Sequence, residues 1–71
     1  MLTDYIKAAM KRAKYEKIED ANPFYGEIPE LTGVWANSDS QKGCREELQE
    51  LLEEWIILSL RLGHKIPVLD G

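Results

Sequence analysis

From Leu2 to about Ala13 the apolar residues Leu2, Tyr5, Ile6, Ala9, Met10 and Ala13 recur at intervals of three and four, the spacing that lines one face of an α-helix. Thr3 and Asp4 suit its cap and first turn, while Lys11, Arg12 and Lys14 complement the negative pole at its end. The pattern then changes. In "AKYEKIED" the β-favouring Tyr15 and Ile18 sit among charges without clean alternation, which reads as an exposed strand. Asp20, Ala21 and Asn22 before Pro23 read as a turn, because the proline ring biases Asn22 towards extended geometry. From Phe24 the period becomes two: Phe24, Gly26 and Ile28 fall on one face of a second strand, Tyr25 and Glu27 on the other. Pro29 stops that strand. Leu31 to Val34 resembles a type II turn with Gly33 at the position that needs positive φ, and Val34, Trp35 and Ala36 begin a third strand.

Ser38, Asp39 and Ser40 then offer an N-cap to the longest helical pattern in the chain, which runs to Leu62 and stops at Gly63. Cys44, Leu48, Leu51, Leu52, Trp55, Ser59 and Leu62 form one stripe, opposed by Glu46, Glu47, Glu50, Glu53 and Glu54. That stripe is expected to pack on the sheet. Ile56, Ile57 and Leu60 fall outside it, so they need a second surface, either the N-terminal helix or another copy of the chain. "KIPVLDG" reads as a short fourth strand, which Pro67 restricts to an edge. The expected fold is α+β: an N-terminal helix, a three-stranded antiparallel sheet, a long amphipathic helix packed on it, and a short C-terminal edge strand. Repeats and linkers are lacking, so residues 1–71 are read as one domain.

Charge narrows the functions. Thirteen acidic against nine basic residues give a net charge of -4, which disfavours direct nucleic-acid binding and suits a basic partner. With one cysteine and one histidine there is neither an intrachain disulfide nor a Cys/His zinc set, and neither metal nor cofactor is expected. The first residues lack the continuous apolar core of a signal peptide, and no stretch reaches the length of a membrane span. A cytoplasmic setting without membrane contact is the expectation.

Few residues invite chemistry. Cys44 lies on the apolar stripe, about twenty positions from His64 and at the opposite end of the helix, so a buried structural thiol is the better reading than a nucleophile. His64 follows Gly63, where an imidazole can help satisfy terminal carbonyls. Trp55 reads as core; Trp35 could face either side of the sheet. Tyr25 is expected to point away from the long helix. The glutamate ridge is a solvated helix face, or alternatively a surface that steers a basic partner.

"FYGEIPELTGVWANSDS", followed by "CREELQELLEEWI", resembles the HicB-like antitoxin family. Tyr25, Ile28, Pro29, Leu31, Gly33, Asp39, Glu46, Glu47 and Leu48 carry the likeness by order and spacing, within a match of roughly Tyr15 to Val68. The resemblance implies a partial ribonuclease-H-like fold and a non-enzymatic antitoxin. Its partner would be a HicA-like toxin, a small basic mRNA-cleaving ribonuclease whose catalytic histidine is covered on docking. Thr32 departs from the family proline, Ser38 and Ser40 from its glycine and threonine, and Gly43 from a glutamate that would close a capping box. The C-terminal DNA-binding segment common in the family is not expected within these 71 residues. Partner contacts are expected at Tyr25, Glu27, Glu30 and Trp35, and self-association into a homo-oligomer at Ile56, Ile57 and Leu60. The alternatives are an oligomerising scaffold without a toxin and a metal-dependent nuclease, for which the carboxylates do not visibly converge.

Overall fold

A computed structural model describes residues 2–67 and Leu69. It runs α1 (Leu2–Lys11), β1 (Lys14–Lys17), β2 (Phe24–Glu27), β3 (Trp35–Ser38) and α2 (Gln41–Arg61). Helix, three-stranded antiparallel sheet and long helix thus follow in the expected order. Among the described residues no helix is long and apolar enough to cross a membrane.

The sheet has the order β1-β2-β3. Tyr15 pairs with Gly26 and Gly26 with Ala36, while Glu16 pairs with Tyr25 and Tyr25 with Asn37. Because side chains alternate across a strand, the first row faces α2 and the second faces away. Two turns hold this register. The β1–β2 connection closes through an Ile18 N–H donating to Pro23 O (2.8 Å) and an Asn22 N–H donating to the Asp20 carboxylate (3.0 Å). At the β2–β3 connection Val34 N–H donates to Leu31 O (3.1 Å) with Gly33 at φ 92°, a left-handed conformation that a β-carbon would penalise.

Helix α2 begins at Ser40, whose extended backbone and side-chain oxygen form an N-cap; Oγ accepts the Gly43 N–H at 3.0 Å. A β-carbon at Gly43 would lie 2.6 Å from Ser38 Oγ and 2.8 Å from Ser40 Oγ. The departures from the family pattern at 38, 40 and 43 are therefore one arrangement, in which glycine leaves room for two serine hydroxyls. At the other end Gly63 N–H donates to Leu60 O and His64 N–H to Ser59 O, the paired bonds of a Schellman motif. Backbone amides close the helix, in place of the expected His64 imidazole.

Leu48, Leu52 and Ile56 from α2 meet Ile28, Leu31, Val34 and Ala36 from the sheet and its turn, with Ala9 of α1 completing the cluster. Each fully buried leucine or isoleucine contributes about 1.5–3 kcal/mol relative to exposure. The buried stripe of α2 is Cys44, Leu48, Leu52, Ile56 and Ser59, which corrects the expected one. Leu51 and Leu62 lie outside it, 40% and 59% exposed, and Trp55 is half-buried at its margin. Ile56, expected on the surface for self-association, is 1% exposed within the monomer. Steps of four advance around the helix beyond one full turn, so the core line drifts from Cys44 towards Ile56, and periodicity centred on the first turns misplaces it. The expected fourth strand is also corrected in its described part. Lys65, Ile66 and Pro67 are not strand, and Val68, Asp70 and Gly71 lie outside the described residues. Instead of pairing, the tail packs Ile66 and Leu69 against the core, and its Pro67 carbonyl accepts the Tyr5 hydroxyl at 2.7 Å.

Candidate functional site

The two faces of the sheet are filled differently. Towards α2 the centre of the sheet presents small residues, with Gly26, Ala36 and Ser38 buried and the aromatic Tyr15 and Phe24 at the margin of the same face, and the Cys44 thiol donates to Ala36 O at 3.5 Å. Burial pushes that thiol's pKa up, with Glu47 adding to the shift, which fits an inert structural cysteine. A β-carbon at Gly26 would lie 2.8 Å from the Tyr15 ring and 3.2 Å from Cys44 Sγ; glycine lets helix and edge tyrosine close over the sheet.

The opposite face carries Lys14 and Glu16 of β1, Tyr25 and Glu27 of β2, and Trp35 and Asn37 of β3. Tyr25 and Trp35 are diagonal neighbours whose rings stack with centroids 6.1 Å apart and planes at 25°, a geometry worth about 0.5–1.5 kcal/mol beyond burial. Trp35 nevertheless remains 52% exposed. The Tyr25 hydroxyl donates to a Glu27 carboxylate oxygen at 3.4 Å. Burial raises its pKa, with the Glu27 and Glu16 carboxylates adding to the rise, so the phenol stays protonated and keeps its role as donor. A shallow hollow of about 230 Å³ lies beside it, between Lys14, Glu16, Tyr25 and Glu27. Around the β3 edge a second hollow of about 310 Å³ is lined by Trp35, Asn37, Glu47 and Leu51, extending the aromatic face onto the flank of α2.

Three of the four residues expected at a partner surface, Tyr25, Glu27 and Trp35, thus share one open face. Glu30 is placed differently. Its carboxylate accepts from the Arg12 guanidinium at 2.8 Å, tying the β2–β3 turn to the end of α1, and that bond holds its pKa below the usual glutamate range. Glu16 and Asn37 join the face unforeseen, since only the strand register sets them beside Tyr25. Strand alternation does not carry through the turn from β2 to β3, so only the pairing of the strands places Asn37, and β1 has no alternation of its own. Among the described residues no group of three or more His, Cys, Asp or Glu side chains is placed to hold a metal ion. The arrangement can supply stacking area, one phenolic donor, the Asn37 amide, and the Glu16 and Glu27 carboxylates with the Lys14 ammonium beside them.

Comparison with protein families matches residues 4–67 to the UPF0150-like family. Among solved structures, TTHA0281 from Thermus thermophilus is 50% identical to the chain, with a TM-score of 0.93 over 96% of this chain and 84% of that one. No curated protein matches the chain at a significant level. The family match spans the helices and the whole sheet, and the solved relative has the same fold. The likeness to the HicB-like family, which the sequence motifs place over roughly Tyr15 to Val68, is matched over residues 4–67, and the chain belongs to the UPF0150-like family, the HicB-like antitoxin domain.

Proposed function

We propose that the chain is an antitoxin that neutralises a HicA-like mRNA-cleaving toxin by docking the open face of its sheet over the toxin's RNA-binding site. The observation that carries this reading is the Tyr25–Trp35 stack, left half exposed on a sheet face that no described element of the chain covers. Large aromatics held rigid by stacking give contact area at low cost in conformational entropy, which is why tyrosine and tryptophan dominate binding hot spots. Glu16 and Glu27 beside the stack suit basic side chains of a small RNA-binding protein. Occlusion asks for no reactive group; affinity need only exceed that of the competing RNA.

Co-expression tests this directly. Growth arrest by a HicA-like toxin is expected to be relieved by the chain and restored by Trp35→Ala combined with Tyr25→Ala, provided that the variant still melts cooperatively. Arrest that persists beside the folded, unaltered chain contradicts the reading.

A second reading, self-association through the last turns of α2, is favoured by the exposure of Ile57 (52%) and Leu60 (59%). Spaced three apart, they share one flank of the helix. A strict monomer in sedimentation at high protein concentration contradicts it.

A further inference from the structure

The net charge of -4 hides a segregation that only the fold reveals. Lys7 and Lys11, one turn apart on α1, face Lys42 and Arg45 in the first turns of α2 across a trench with two lobes, of about 520 and 430 Å³. Met10, Lys11 and Arg45 line both lobes, which makes the trench continuous. Four of the chain's nine basic residues gather there, and none of the described acidic residues lines either lobe. Among the described residues none of the four cations forms an ion pair within 4 Å. The first turn of α2 adds no carboxylate of its own, and Asp39, one residue before the cap, does not line either lobe. The Tyr15 ring, 40% exposed, borders the first lobe.

We propose that this trench binds single-stranded nucleic acid, with backbone phosphates along Lys7, Lys11, Lys42 and Arg45 and a base stacked on Tyr15. At physiological salt a charge is screened beyond about 8 Å, so a phosphate in the trench senses the local cations more than the glutamates on the outward face of α2. An elongated groove of unpaired cations with an aromatic at one end is the general solution for strands bound without sequence readout. An acidic polypeptide would use the cations but not the ring. The site lies between the helices, away from the open sheet face, and the proposal is independent of the toxin reading.

Fluorescence anisotropy of a labelled single-stranded octanucleotide, titrated with the intact chain at several salt concentrations, tests it. Four phosphate contacts give an expected slope of log affinity against log salt of about -3, and Lys42→Gln with Arg45→Gln should reduce it to about -1.5. Tyr15→Leu, which keeps apolar cover over Gly26, should weaken binding at least about fivefold, whereas Trp35→Ala should leave it unchanged. Equal melting temperatures confirm that the variants fold. Absence of binding at low salt overturns the proposal, as does binding indifferent to the trench substitutions. Displacement of the octanucleotide by polyglutamate, with Tyr15→Leu without effect, also overturns it and gives the trench to an acidic polypeptide.

Discussion

The same two strands, β2 and β3, build both faces of the sheet, yet the faces obey opposite rules. Under α2 they contribute Gly26, Ala36 and Ser38, with Phe24 half-buried at the end of the same row, and Leu48, Leu52 and Ile56 of the helix supply much of the core. On the far side they contribute Tyr25 and Trp35, their largest aromatics on that face, where least surface is buried. Small residues on the covered face have a mechanical cause: the helix approaches until Cys44 Sγ touches the Ala36 carbonyl. Nothing in the fold requires a tryptophan on the open face. An exposed tryptophan that adds little to stability where it stands is the observation on which the proposed docking face rests, and this contrast, more than any single residue, motivates the proposal.

The contrast can be broken first where it is strongest. Leu52, fully buried, replaced by alanine should cost about 2–5 kcal/mol in denaturant unfolding, against a total of about 4–10 kcal/mol for a chain of this length. A smaller loss would mean that α2 is not seated as described. Gly26→Ala tests the close approach itself, since the new methyl would meet the Tyr15 ring and Cys44 Sγ; a loss of about 1–3 kcal/mol is expected, visible as a lowered melting temperature. On the other face Trp35→Ala loses the stacking energy, about 0.5–1.5 kcal/mol, and only part of the burial of its ring, which is 52% exposed and leaves no enclosed cavity behind. Its effect on the thermal melt should therefore fall clearly below that of Leu52→Ala.

The smallest effect concerns the turn that joins the two strands. The Arg12 hydrogen bond lowers the Glu30 pKa in the folded chain, so the ionised carboxylate favours folding. That contribution is fully present above the ordinary glutamate range and is lost as the pH falls through the lowered folded value. The melting temperature of Glu30→Gln should lie slightly below that of the unaltered chain at neutral pH, and the gap should close below about pH 4.

Much of this was legible beforehand, for identifiable reasons. Alternation from Phe24 to Ile28 placed Tyr25 on the uncovered side, Gly33 marked its turn, and Ser40 marked the start of the long helix; each is a local signal tied to backbone geometry. Signals failed where the deciding partner is distant in the chain. Ile56 and Ile57 are equivalent in composition, and only the way α2 is rotated about its own axis on the sheet buries one and exposes the other. Glu16 entered the site through the pairing of β1 with β2, which its mixed sequence could not specify. Lys65 to Pro67 looked extended and are irregular, because Pro67 cannot donate to a ladder and its carbonyl is taken by Tyr5. The basic trench was invisible in a net charge, since its cations come from two helices separated by the whole sheet in sequence.

The central claim is that the aromatic face is open in the free chain and covered by a partner. Acrylamide quenching of Trp35, measured in a Trp55→Phe background with and without a HicA-like toxin, tests it most directly. Efficient quenching of the free chain and marked protection in the complex are expected. A complex that forms while Trp35 remains as accessible as before would contradict the account.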